Sequence, residues 1–96
     1  MREEHNTSTK FIQSYLYTKK YGNFFISTCY RKSSAFLDPA PWYYETFAWR
    51  LDKNNHRTSW VVEFAGNNDK EWALQKHIEI CEQLDLKGEY KYEETF

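Results

Sequence analysis

Aliphatic side chains are scarce in this 96-residue chain: Leu, Ile and Val together number 12. Glycine occurs three times, proline and cysteine twice each, and methionine once. Each shortage excludes something. No apolar run approaches the ~18 residues of a membrane-spanning helix. Few prolines and glycines exclude a collagen-like or low-complexity chain. Two cysteines are too few for a disulfide-stapled miniprotein. Gly22, Gly66 and Gly88 are far apart, so no glycine-rich loop can cradle a phosphate. His5, His56 and His77 stand at no metal-ligand spacing from a cysteine or from one another, which removes local support for a zinc site. No metal and no cofactor is therefore predicted. The opening residues, MREEHNTSTK, hold no apolar stretch of the signal-peptide kind, which predicts a cytoplasmic protein with Cys29 and Cys81 as reduced thiols.

Aromatic residues fill the gap, with 4 Trp, 8 Tyr and 7 Phe outnumbering the aliphatics. The net charge of −1 and this aromatic content argue against a disordered chain. The charge is unevenly distributed. Residues 5–60 carry eight Lys or Arg against three acids and hold 14 of the aromatics, whereas residues 61–96 carry four Lys against nine acids. There is no repeat and no linker, so residues 1–96 read as one domain, with residues 1–8 expected to be disordered.

Three segments have strand character. Residues 24–31 (FFISTCYR) follow the turn signal Tyr21-Gly22-Asn23. Residues 42–51 (WYYETFAWRL) follow two prolines, and residues 58–65 (TSWVVEFA) follow a short polar turn at 52–56. Short connections favour an antiparallel meander over residues 24–65. Residues 68–87 are predicted as a helix, with Asn68 and Glu71 as a capping box and Gly88 as the stop. At helical spacing Ala73, Leu74, His77, Ile80, Cys81 and Leu84 share a face, with Ile78 at its edge. Residues 9–20 are predicted as a helix from the spacing of Phe11, Ile12, Tyr15 and Leu16, with an extra strand as the alternative. Residues 88–96 form either a tail or an edge strand through Tyr90 and Tyr92.

The expected fold is α+β: a three-stranded antiparallel meander against a C-terminal helix, with an N-terminal helix (αβββα) or an extra strand. In its order of elements the αβββα version resembles a double-stranded-RNA-binding domain. The basic cluster of that family at the start of the last helix is replaced here by Asp69-Lys70-Glu71.

Strand alternation identifies candidate surfaces. Trp60, Val62 and Phe64 share one face of the last strand and are expected to meet the helix. Residues 42–51 carry large aromatics on both faces, and one helix covers only one. The second face then needs cover from the chain itself, from a second copy or from a partner. Tyr30, Trp42, Tyr44 and Trp72 are the candidate partner-binding residues, because Tyr and Trp bring large area with a polar handle. Trp72 is expected opposite the helix's apolar face, folded onto the sheet edge, stacked on Lys76, or free as an anchor.

The basic residues Lys19, Lys20, Arg31, Lys32, Arg50, Lys53 and Arg57 offer phosphate contacts for an alternative reading, in which aromatic residues stack on unpaired bases. An isoelectric point near 6.3 disfavours it. No catalytic constellation is recognisable. His77 and Cys81 are one helical turn apart, but burial would raise the thiol's pKa instead of activating it. Glu45 is the one acid in the aromatic strand, with Arg31 or Arg50 as its partner. The composite expectation is a small non-enzymatic module, of accessory or inhibitor type, that binds a protein partner or a second copy of itself.

Overall fold

The computed structural model describes residues 8–32, 42–66 and 68–91. Residues 1–8 were expected to be disordered; Ser8 opens a strand, and 1–7 lie outside the described residues. Four strands are followed by one helix: β1 (Ser8–Thr18), β2 (Gly22–Lys32), β3 (Trp42–Leu51), β4 (Arg57–Ala65) and α1 (Lys70–Lys87). The strands pair antiparallel in chain order, β1-β2-β3-β4. The fold is α+β, with the antiparallel sheet on one side and the C-terminal helix on the other.

Residues 9–20 are therefore a strand and turn, not a helix. Exposure alternates with period two from Ile12 to Thr18, as a half-covered strand requires. Ser, Tyr and Thr favour that pleated setting, and pairing with β2 satisfies the backbone, which a short isolated helix does not achieve as well. Phe11 and Ile12 mimicked helical spacing because β1 has an irregularity between Lys10 and Ile12 that leaves Phe11 unpaired. With ββββα in place of αβββα, the likeness to a double-stranded-RNA-binding domain lapses.

The first connection turns at residues 19–21, where Thr18 Oγ1 accepts from the Tyr21 amide at 3.1 Å. Gly22 follows at φ +86°, a conformation that glycine adopts without strain. At the β3–β4 turn, Asp52 Oδ1 accepts from the Asn54 and His56 amides at 2.8 and 2.9 Å, and Asn55 takes φ +65°. These two backbone bonds hold the Asp52 carboxyl below its ordinary pKa, with that from His56 the larger influence.

The helix is capped by Asp69 instead of Asn68: its side chain accepts from the Glu71 amide. Gly88 closes the other end at φ +73°, its amide donating to the Leu84 carbonyl. The core lies between α1 and one sheet face, built from Phe24, Ile26, Ala48, Ile80, Leu84 and Tyr90. Tyr90 is thus neither an edge strand nor a free tail; its ring is 8% exposed and its hydroxyl donates to Glu79 at 3.0 Å. Residues 92–96 lie outside the described residues. Arg50 fastens this end of the helix, donating to the carbonyls of Tyr21 and Gly88 at 2.9 and 2.6 Å while stacking over Phe24.

Candidate functional site

Pairing divides the side chains of β2 and β3 by parity. Phe24, Ile26 and Thr28, opposite Arg50, Ala48 and Thr46, face the helix. Phe25, Ser27, Cys29 and Arg31, opposite Trp49, Phe47, Glu45 and Tyr43, face away.

Trp60 does not join the helix side. Ala48 pairs with Val62, but Trp49 pairs with Trp60, so Val61 is an extra residue in β4. A one-residue bulge exchanges the faces of everything beyond it. Trp60 thereby turns to the open face and is 65% exposed. A second shift before Leu51↔Arg57 brings Arg57 onto the same face, its guanidinium 4.5 Å from the Trp49 ring centre and 4.9 Å from that of Phe25. Neither bulge leaves a mark in the local composition. Strict alternation was the only available rule, and it gave the wrong parity for Trp60.

The result is an aromatic band running across all four strands. Tyr15 and Phe25 are 4.7 Å apart, Phe25 and Trp49 5.8 Å, Trp49 and Phe47 5.4 Å, and Phe47 and Trp60 6.1 Å. These separations lie in the range of attractive ring pairs. Phe25 is buried beneath its neighbours, whereas Tyr15 at the β1 edge is 56% exposed. Among the described residues, the sheet's own side chains make every ring and cation contact on this face. Residues 9–20 do not cover it, because they extend the sheet sideways as β1. Next to the band, Arg31 is ion-paired with Glu45; it is one of the two partners the sequence offered for that acid, the other being Arg50. That contact raises the Arg31 pKa, first through the hydrogen bond and then through charge. Gln13 donates to Ser27 Oγ at 3.0 Å.

The four residues singled out for partner binding lie on the other side. Tyr30, Trp42 and Tyr44 stack on one another, with Tyr30 5.0 Å from Trp42 and 4.6 Å from Tyr44, and Phe11 5.1 Å from Tyr44. Tyr44 is buried, and burial raises its hydroxyl pKa. Trp72 is separate and half-buried. It leans over the helix start onto the β4 edge, 5.4 Å from Phe64, with Lys76 5.9 Å from its ring centre. A Cβ on Gly66 would come within 1.9 Å of that ring, so a glycine at this position makes room for it.

The basic residues do not form one patch. Arg31, Arg50 and Arg57 are occupied by Glu45, by the helix end and by the aromatic band respectively. Lys19 and Lys53 are exposed in the two turns at one end of the sheet, and Lys20 is exposed near the Tyr21 ring. Lys32 is exposed at the other end.

Beneath the helix is a polar cluster. His77 is 2% exposed; its Nε2 bonds Ser14 Oγ at 2.8 Å and its Nδ1 bonds Thr28 Oγ1 at 2.8 Å. Thr28 Oγ1 in turn bonds Thr46 Oγ1 at 2.8 Å. Desolvation lowers the His77 pKa, which favours the neutral ring. Both ring nitrogens are engaged by hydroxyls and neither by Cys81, whose thiol pKa is raised by burial. The arrangement joins α1 to β1, β2 and β3 with satisfied hydrogen bonds. Cys29 and Cys81 are both free. Among the described residues no group of three or more His, Cys, Asp or Glu is placed to hold a metal ion, and no helix is long and apolar enough to cross a membrane. The chain matches no protein-family model, no curated protein and no solved structure.

Proposed function

We propose that the protein is a small non-enzymatic binding module of accessory or inhibitor type, working in the cytoplasm and gripping a protein partner with the open face of its sheet. The observation that carries this reading is the aromatic band ending in Trp60, which leaves that indole 65% exposed on a face against which no described element packs. An exposed indole and phenol beside a guanidinium are the residue types that dominate protein interfaces. Phe25, Phe47 and Trp49 form a rigid floor, Tyr15 and Trp60 are the anchors, and Arg57 supplies a charge already oriented by two rings. A preformed surface of this kind loses little side-chain entropy on binding. The mechanism is occlusion or bridging, with no chemical step.

The alternative, a single-stranded nucleic acid stacking on the same rings, would use Arg57 with Lys19, Lys20 and Lys53. Arg31 and Arg50 are already held within the chain by Glu45 and by the Tyr21 and Gly88 carbonyls, which weighs against it. The test is affinity capture with wild type and with Trp60→Ala and Tyr15→Ala, read by mass spectrometry. One protein held by wild type and depleted at least about tenfold with each variant is the expected result. Equal retention by all three proteins overturns the anchor assignment. Retention of mixed single-stranded RNA at ~50 mM salt that collapses as salt rises would favour the alternative.

A further inference from the structure

We infer that β1 is a self-association edge: a second copy of this chain adds its own β1 antiparallel to this one, making a continuous eight-stranded sheet about a two-fold axis. The two edges of the sheet differ in protection. β4 is interrupted by two register shifts and carries Arg57 and Glu63, devices that discourage strand addition. From Ile12 to Thr18, β1 pairs with β2 without irregularity, and the segment IQSYLYT has no charge and no proline. Among the described residues no strand pairs with its outer N–H and C=O groups, which form a template for one.

An independent feature lies above the same edge. His77, bonded to Ser14 of β1, and Cys81 one turn further on mark the β1 side of α1, while Trp72, ~180° from Cys81 around the helix, packs on Phe64 of β4. Leu74 and Ile78 lie ~20° and ~60° beyond Cys81 on its side, and they are 39% and 40% exposed. The open strand edge and the exposed apolar flank of the helix therefore share one wall of the molecule.

Charge indicates that the occupant is a second copy. Ser14 is bonded to His77, so a two-fold axis through Ser14 also runs beside the middle of the helix. It sets Ile12 against the partner's Leu16 and, because Phe11 is an extra residue in β1, Lys10 against the partner's uncharged Tyr17. On this flank Lys70 and Asp85 stand at similar distances either side of His77, ~10 and ~12 Å at 1.5 Å per residue. The two antiparallel helices then bring Lys70 of each copy toward Asp85 of the other, and Leu74 with Ile78 roofs the joined strands. The nine residues Lys10–Thr18 that overlap about this axis give a wall ~31 Å long, and the chain's shortest dimension is 20 Å. That wall of ~620 Å² is at the lower end of the ~600–1,000 Å² per partner of a standard interface. It leaves the open aromatic face free, so this association and the partner-binding reading stand or fall separately.

Sedimentation equilibrium across micromolar concentrations tests the inference, with circular dichroism confirming that each variant is folded. The expected species has twice the 11.7 kDa chain mass. Ile78→Lys and Asp85→Lys should each weaken it at least about tenfold. Adding Lys70→Glu to Asp85→Lys should restore it, and Trp60→Ala on the far strand should leave it unchanged. A monomer at every concentration overturns the inference. So does failure of the double charge exchange to restore the dimer, or a dimer that Trp60→Ala dissolves and Ile78→Lys does not.

Discussion

Lowering the pH should destabilise this protein through His77, by an amount that can be bounded. The ring is 2% exposed and hydrogen-bonded to Ser14 and Thr28, and burial lowers its pKa. Hydroxyls can accept from a protonated ring as well as donate to a neutral one, so hydrogen bonding does not oppose the charge; desolvation does. The folded pKa is below the unfolded value near ~6.5. Stability from this group is complete above that value. It declines as pH falls from ~6.5 toward the folded pKa, because the unfolded chain takes up a proton that the native state refuses. The loss between pH 7.5 and 5.5 is at most about 1.4 kcal/mol, the value for a native ring that stays neutral throughout, equivalent to a Tm shift of at most about 6–11 °C for a domain of this size. Urea denaturation followed by tryptophan fluorescence at three pH values measures it. His77→Gln is the control, since an amide keeps hydrogen-bonding capacity and does not titrate; its curve should be flatter, by up to that amount. Equal pH dependence in wild type and His77→Gln would refute the reasoning, as would a gain in wild-type stability on acidification.

Other perturbations probe the remaining joints. Arg50→Ala removes two charge-assisted bonds to the Tyr21 and Gly88 carbonyls and should cost about 2–4 kcal/mol in the same urea assay; a cost within experimental error would mean the clamp is idle. Gly88→Ala introduces a side chain at φ +73° and 2.5 Å from the Tyr21 ring, for an expected loss of about 2 kcal/mol or more. Gly66→Ala displaces the Trp72 ring and should alter tryptophan emission as well as cost about 1–3 kcal/mol. Trp60→Ala, at a largely exposed position, should change stability by no more than about 0.5 kcal/mol while reducing partner binding. A large stability loss there would make Trp60 a packing residue.

Most of the local structure was legible in the sequence. Residues 42–51 and 58–65 read as strands from β-branched and aromatic content between turn residues. The helix read from its period and its Gly88 stop, although the cap moved by one residue to Asp69, because either side chain can accept at a helix start. His77 read as part of the helix's apolar face. The candidate site was less legible. Alternation places Trp42 and Tyr44 on one face of β3, but Tyr30 joins them only through the β2–β3 register, and which face the helix takes depends on packing and not on the pattern of one strand.

By itself the sequence determined three of the four strands, the C-terminal helix and the excess of aromatic surface over what that helix can cover. These follow from propensity, period and composition, which act over a few residues at a time. Only the tertiary structure decided that residues 9–20 are a strand, because β2 had to be present to pair with it. Only the tertiary structure turned Trp60 outward, since the extra residue at Val61 is defined by the register of β4 against β3. Both decisions concern pairing between segments distant in sequence. They determine where the aromatic band ends and which edge of the sheet is left open.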